Sequence, residues 1–294
     1  MIFLIDGNHL FHRALHIKTD LITSYGLPIN AVYGCMQMMK NVVDNYQDRY
    51  SELIICWDGG GKNWRHKMFS GYKERRTGLP EQAFVQMKIV QNLYRVLGLR
   101  QVKMYGCEGD DIIGTVTNLS MKNGGDGVFI YSYDQDFYQL INDKLNIVQI
   151  KPGMRGEKDR EVYEKDVCEE IGVSASQFIE LVALTGQKKD DIPGIDGIGK
   201  VTASKLINQF KNIDNLITNL DQCSSKIKDK LIGKEQQLNL SKTLATINVN
   251  LFNEFNFKKT TYPSFKILQI LFEKYEFKSF LRNFDQWAQT FGRM

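Results

Sequence analysis

The chain has 294 residues, 43% hydrophobic and 24% charged, with a formal net charge of +4. That length supports one large domain or two small ones around a sizeable core, and the composition is that of an ordinary soluble protein. No apolar run approaches the roughly 18 residues that span a bilayer, and so small a net charge does not by itself prove a nucleic-acid partner.

Residues 2–5 read as a buried strand that ends in Asp6-Gly7-Asn8. No cationic segment precedes this apolar run, so it is a strand and not a signal peptide; the absence of targeting implies the cytosol. An acid at the C-terminal end of a strand is where open α/β sheets place ligands, although a plain Asp-Gly turn has the same appearance. Residues 9–17 look helical and carry Arg13. Residues 30–47 form a second helix, with Val32, Met36, Met39 and Val43 at helical spacing toward a core. Residues 53–57 are another buried strand, and an acid again ends it: Asp58, before three glycines.

The most basic stretch follows. Lys62, Arg65, Lys67, Lys73, Arg75 and Arg76 are balanced only by Glu74, and Trp64, Phe69 and Tyr72 lie among them. Cations interleaved with aromatics suit a phosphate backbone with bases stacked on rings. A solvated charged helix is the plainer alternative, but the segment leaves directly from a strand-end acid. Residues 81–97 form an amphipathic helix stopped at Gly98, and 99–105 a short strand.

Glu108, Asp110 and Asp111 then crowd the start of an apolar helical run containing Ile112, Ile113, Val116 and Leu119. Carboxylates this close raise one another's pKa unless something positive neutralises them. The helix N-terminus supplies part of that charge, and a hard divalent cation would supply the rest. Taken alone, the three could be a capped acidic turn worth about 1 kcal/mol. The repetition of strand-end acids argues for the ion. Residues 128–132 are a third strong strand, and Asp134-Gln135-Asp136 follows, a spacing that lets two carboxylates reach one ion. A short helix at 137–142 and a strand at 145–150 complete this part.

After residue 150 the strand–helix alternation stops. Helices are expected at about 163–171, 175–185, 199–210, 224–232, 235–246 and, with breaks, 264–291. The chain therefore divides into an α/β core at 1–160 and a helical part at 161–294, joined through 151–160 with Pro152, Gly153 and Gly156. Tyr275, Phe277, Phe280, Phe284 and Trp287 read as core or as a docking face. Between two helices, the alternation of glycine and isoleucine through Gly194, Gly197 and Gly199 to Lys200 predicts a tight hairpin. Its backbone N–H groups could meet a phosphate at a helix N-terminus. Cys35, Cys56, Cys107, Cys168 and Cys223 are scattered without a CxxC pair, against disulfides or a zinc cluster. His12 and His16 stand at i, i+4 but lack a third ligand nearby and read as surface residues.

Taken together, these stretches resemble the 5′-to-3′ exonuclease and flap endonuclease family, which includes the amino-terminal nuclease domain of bacterial DNA polymerase I and stand-alone phage enzymes. The resemblance covers roughly residues 1–245. It rests on five motifs in order: Leu4-Ile5-Asp6-Gly7 with Arg13; Trp57-Asp58-Gly59 through Arg65 to Tyr72-Lys73 and Arg76; Gly106 through Asp111; Ser132 through Asp136 with Tyr138-Gln139-Leu140; and Ala183-Leu184-Thr185-Gly186 through Gly199. It implies a mostly parallel, PIN/resolvase-like sheet flanked by helices, with a helical arch at about 62–97 and a helix–hairpin–helix at about 183–210.

The resemblance further implies a Mg²⁺-dependent phosphodiesterase, with Mn²⁺ as substitute and one or two ions. Asp6, Asp58, Glu108, Asp110, Asp111, Asp134, Asp136 and Asp190 fall at the family's acidic positions. Lys73 and Arg76 match its cations at the scissile phosphate. Arg13, Lys62, Arg65, Tyr72 (stacking on a terminal base) and the hairpin residues Gly194, Gly197, Gly199 and Lys200 would hold the substrate, and the hairpin carbonyls can hold K⁺. The implied partners are DNA with 5′ flaps, 5′ ends or nicks, RNA–DNA hybrids and replication proteins, for a monomer away from membranes. One departure stands out. Gln187 replaces an acid used near the second metal, which puts that site in question; Lys188 and Lys189 add positive charge there, and Asp191 would restore negative charge if it turned inward. Two other classes compete: a DNA-structure-binding protein with little cleavage, motivated by Gln187, and a small-molecule phosphatase, which leaves the arch and hairpin unexplained.

Overall fold

The structure is a computed structural model that describes residues 1–16, 21–153, 157–257 and 262–292. Six strands form one sheet in the order β3-β2-β1-β4-β5-β6. They are β1 (Ile2–Asp6), β2 (Glu52–Trp57), β3 (Arg100–Lys103), β4 (Val128–Tyr131), β5 (Ile147–Lys151) and β6 (Arg160–Val162). The first five run parallel and β6 is antiparallel to β5. The mostly parallel α/β sheet expected from the sequence is therefore present.

β1 and β2 are buried along their whole length, as continuous apolar runs must be when helices cover both faces. Alternate side chains serve opposite faces. Phe3, Ile5, Ile55 and Trp57 pack with helices α1 (Gly7–Leu15), α2 (Asn30–Tyr46) and α4 (Glu81–Val96). Ile2, Leu4, Ile54 and Cys56 pack with Ile112, Ile113 and Val116 of α5 (Gly109–Lys122) on the other face. Between β2 and α4 lies α3 (Trp64–Met68), only five residues long. The expected arch at 62–97 thus divides: α4 is core through Met87, Val90 and Leu93, and within 62–80 Arg65 and Tyr72 are buried too.

A second apolar cluster organises the helices α6 (Glu164–Ile171), α7 (Phe178–Thr185), α8 (Lys200–Phe210), α9 (Ile213–Thr218), α10 (Ser225–Leu231) and α11 (Glu235–Ala245). Residues 247–257 then return across α5. Gly114 on α5 permits this approach, since a Cβ there would lie 2.4 Å from Ile247 Cγ2.

Two expectations change. The strand β6 adds to the expected set: three residues with charged Arg160 and Glu161 and the single apolar Val162 are too short to show a strand pattern. The helical part at 161–294 is not one body of packing: α12 (Phe265–Lys274), α13 (Lys278–Arg282) and α14 (Phe284–Gly292) pack through Phe272, Phe280 and Trp287 into the same cluster as α2 and α4. Of the expected junction, Gly156 lies outside the described residues. No described helix is long and apolar enough to cross a membrane.

Candidate metal centre and nucleic-acid face

Strand order reverses between β1 and β4, and ligands in open α/β sheets bind beyond the carboxyl ends of strands at such a switch point. Asp6 ends β1 there. Its Oδ1 accepts from the His9 N–H at 2.9 Å, capping α1, and its Oδ2 accepts from Ser132 Oγ at 2.9 Å just past β4. Asp58, beyond β2, accepts from the first N–H of α5, that of Gly109, at 2.7 Å, and from Asn8 Nδ2 at 2.9 Å. Asp110, Asp134 and Asp136 each bring one carboxylate oxygen within 4.8 Å of the others. Parallel strand ends and the N-terminus of α5 therefore gather acids from distant parts of the chain into one basin. Glu108 and Asp190 line it too, with Lys73 and Arg76 at its rim.

The acids crowd one another. Burial first, then Asp58 and Asp134, push the Asp6 carboxyl up to about 7, against the pull of the His9 hydrogen bond. Burial and the negative charges of Asp6 and Asp134 hold Asp110 well above the carboxylate range. Burial and Asp134 push Asp136 up to about 6. Among the described residues nothing donates a hydrogen bond to the Asp110 carboxylate. An unpartnered carboxylate beside two others, all of them hard oxygen donors, fits a Mg²⁺- or Mn²⁺-class ion.

The rise at Asp6 gives a test. In metal-free protein Asp6 binds its proton more tightly folded than unfolded, so stability from this group is present below about pH 4 and lost as pH rises through about 7. With metal chelated, Asp6→Asn should melt higher than wild type at pH 8, and the gap should shrink at pH 5. Melting curves with a pH-independent gap would show that Asp6 is not crowded.

On the far side, two residues replace carboxylate repulsion with attraction. The Lys189 Nζ lies 2.6 Å from Asp134 Oδ2 and 3.0 Å from Asp136 Oδ2. Gln187 Nε2 donates to Asp136 Oδ1 at 2.6 Å, so Gln187 faces the basin. Burial alone would raise Asp134, but Lys189 outweighs it and holds that carboxyl below its ordinary value.

The rim is clasped to the turn at 188–190. The Lys73 N–H donates to the Asp190 carbonyl at 3.0 Å, Arg76 Nη2 lies 2.5 Å from Asp190 Oδ1, and Arg76 Nε donates to the Lys189 carbonyl at 3.0 Å. The Lys73 Nζ donates to Glu108, which also accepts from Arg65 at 2.9 Å and Tyr72 at 3.1 Å. Burial would raise Glu108, yet Lys73 and Arg65 hold it below its ordinary value.

Several expected site residues are placed elsewhere. Asp111 is 0% exposed, and its oxygens accept from Arg65 Nη1 (2.8 Å), Arg65 Nη2 (2.7 Å), Trp64 Nε1 (2.9 Å) and the Asn248 N–H (2.8 Å). It is a buried structural acid with no oxygen turned to the basin. Arg65, expected on the substrate, is 3% exposed and donates as well to the carbonyls of Leu244 and Thr246, each at 2.8 Å. Tyr72, expected to stack on a base, is 3% exposed and packs with Ile192 and Leu244. Asp191 turns outward to Arg75, accepting its N–H at 3.0 Å, and does not compensate for Gln187.

Arg13 is half-buried and donates to the Gly153 carbonyl, whereas Lys62 is exposed. At the hairpin, Gly194 lets the chain pass the backbone of Thr185 and Gly186, where a Cβ would lie 2.3 Å from the Thr185 carbonyl carbon. Gly197 has a φ of +72°, and its carbonyl accepts from Lys230 Nζ at 2.7 Å. Gly199 caps α8 with open space around its Cα, while Lys200 donates to the Glu170 carbonyl at 2.8 Å. Sequence reasoning missed the bridging role of Lys189 and the bracing of Asp58 by Asn8. A lysine beside a replaced acid was the one available signal.

Comparison with protein families places residues 1–172 on the 5′-3′ exonuclease N-terminal resolvase-like domain and 173–267 on the 5′-3′ exonuclease C-terminal SAM fold. The chain belongs to the 5′-3′ exonuclease family. Its curated relatives include the thermostable DNA polymerase I of Thermus aquaticus (30% identical over 283 residues, 96% of this chain and 33% of the relative). Another is the DNA polymerase I of Bacillus subtilis (31% over 270 residues, 91% and 30%). The chain spans about a third of the length of these relatives. Among solved structures, T5 5′-exonuclease with divalent zinc matches with a TM-score of 0.69 at 24% identity, covering 84% of this chain and 89% of that one. The catalytic core of Rad2 in complex with DNA substrate matches at 0.62 and 14%, covering 93% and 86%. At these identities the likeness is one of fold.

Proposed function

We propose that the chain is a metal-dependent, structure-specific 5′ nuclease that hydrolyses phosphodiester bonds at 5′ flaps or 5′ ends of DNA, and of RNA primers on DNA, in replication or repair. The observation that carries this reading is the unpartnered Asp110 carboxylate beside Asp134 and Asp136 at the sheet's switch point, with Lys73 and Arg76 at the rim. Family membership supports it, as do a T5 flap endonuclease complex described with DNA and metal ions and the Rad2 complexes with DNA.

Asp110, with Asp6 and Asp58 beside it, would hold Mg²⁺, or Mn²⁺ in its place; Asp134 and Asp136 add negative charge to the basin, and Glu108 and Asp190 orient the cations of the rim. When bound, the ion lowers the pKa of water and stabilises charge on the transferring phosphate. The remaining work falls to the chain. Lys73 and Arg76 offset charge that develops on the scissile phosphate. Lys62 and the exposed part of 62–80 attract a single strand. The open backbone at Gly199, leading into α8, suits a duplex phosphate. A K⁺ ion at the hairpin would share the Gly197 carbonyl with Lys230. We place the protein in the cytoplasm as a monomer recruited to replication intermediates.

The test is a labelled 5′-flap duplex with Mg²⁺ or Mn²⁺, its products sized on a gel. Ion-dependent cleavage near the flap junction is expected, and binding without products at high enzyme concentration would refute the reading. That second outcome is the alternative, a DNA-structure-binding protein, which the Lys189 contacts to Asp134 and Asp136 favour. Within the nuclease reading, Lys73→Ala should lower turnover about 10²-fold with little change in affinity. A loss confined to affinity, in single-turnover kinetics, would make Lys73 a simple phosphate contact.

A further inference from the structure

All four carboxylate oxygens of Asp134 and Asp136 are already engaged, three by a hydrogen bond and Asp136 Oδ2 by an ion pair. Lys189 Nζ reaches both oxygens of Asp134 and Oδ2 of Asp136, and Gln187 Nε2 takes Asp136 Oδ1. Asp110, on the other side of the group, accepts none among the described residues. The lysine stem rises from a turn held on both sides: Gln187 pairs with Ile192 through two backbone hydrogen bonds of 2.9 and 3.1 Å, and the Asp190 carbonyl takes the Lys73 N–H. From that held turn the lysine stem, still about two-fifths exposed, carries its ammonium over the two carboxylates.

A divalent ion of the Mg²⁺ class binds oxygen at about 2.0–2.1 Å and demands near-octahedral ligands. An ammonium at 2.6 and 3.0 Å from the oxygen pair Asp134 Oδ2 and Asp136 Oδ2 takes up acceptor positions the ion would use and repels it as a like charge. We infer that Lys189 is a resident cation that stands in for a second divalent ion at the Asp134–Asp136 end of the basin, so that the chain takes one divalent ion, on the Asp110 side. Lys189 is then a positioning residue. It holds the D-x-D pair in a fixed geometry and supplies one positive charge where a metal would supply two.

This inference rests on the proposed nuclease reading, but its test needs no DNA. Mn²⁺ bound per chain is counted by titration against the electron paramagnetic resonance signal of the free ion. Wild type and Lys189→Arg should bind one ion. Lys189→Met, and Lys189→Met combined with Gln187→Asp, should bind two. Two ions on wild type, or one on every variant, would overturn the inference. No ion on any of them would overturn the metal-dependent reading and the inference with it, whereas one ion on wild type without flap cleavage would remove only the nuclease. Because Lys189→Arg keeps the charge, it separates a lost fold from a lost ammonium.

Discussion

Asp110→Asn should lower flap cleavage about 10³-fold, the loss expected when a principal charge-stabilising group is removed, while DNA binding without metal stays the same or tightens. Asp110 is the one acid of the basin triad that accepts no hydrogen bond among the described residues. It carries the repulsion of Asp6 and Asp134 on top of its burial. Replacing its carboxylate with an amide keeps the shape, removes a strong ligand and takes negative charge away from the path of a phosphate. The same change should raise the melting temperature of the chelated protein, because folded Asp110 is costly to ionise. Activity within tenfold of wild type, measured as single-turnover rate at saturating Mn²⁺, would place the ion elsewhere.

Arg65→Ala should act through stability. It would leave the carboxylate of Asp111, 0% exposed, without its bidentate partner, and would strip donors from the carbonyls of Leu244 and Thr246. Breaking a buried ion pair from one side costs about 3–5 kcal/mol. For a domain of this size that lowers the melting temperature by on the order of 10 °C. Lys in place of Arg should not restore it, since an ammonium cannot reproduce the fork that meets Asp111 and both carbonyls. Urea unfolding of both variants checks this. A stable Arg65→Ala protein with weakened DNA binding would return Arg65 to the substrate face.

These two residues also show what the sequence could and could not reveal. The basin was legible because each buried parallel strand is an apolar run, so the acid that ends it is conspicuous: Asp6 after residues 2–5, Asp58 after 53–57, Asp134 after 128–132. The division of labour between Asp110 and Asp111 was not legible. Successive residues on a helix point about 100° apart, and only the packing of α3 against residues 244–248 decides which acid faces the basin and which faces Arg65. In the same way, a basic run with aromatics looks like a nucleic-acid surface, yet Arg65 and Tyr72 are drawn inward by Asp111, Glu108 and the apolar pair Ile192 and Leu244. The glycine hairpin was visible from spacing alone. The return of α12–α14 to the first core was not, because amphipathic spacing shows that a face is buried but not what covers it.

Anomalous scattering from a crystal grown in Mn²⁺ tests the central claim most directly. The account predicts one strong peak ligated by Asp110 at the carboxyl ends of β1 and β4, with the Lys189 ammonium still on Asp134 and Asp136. A basin without a peak, or a peak away from Asp110, would contradict it.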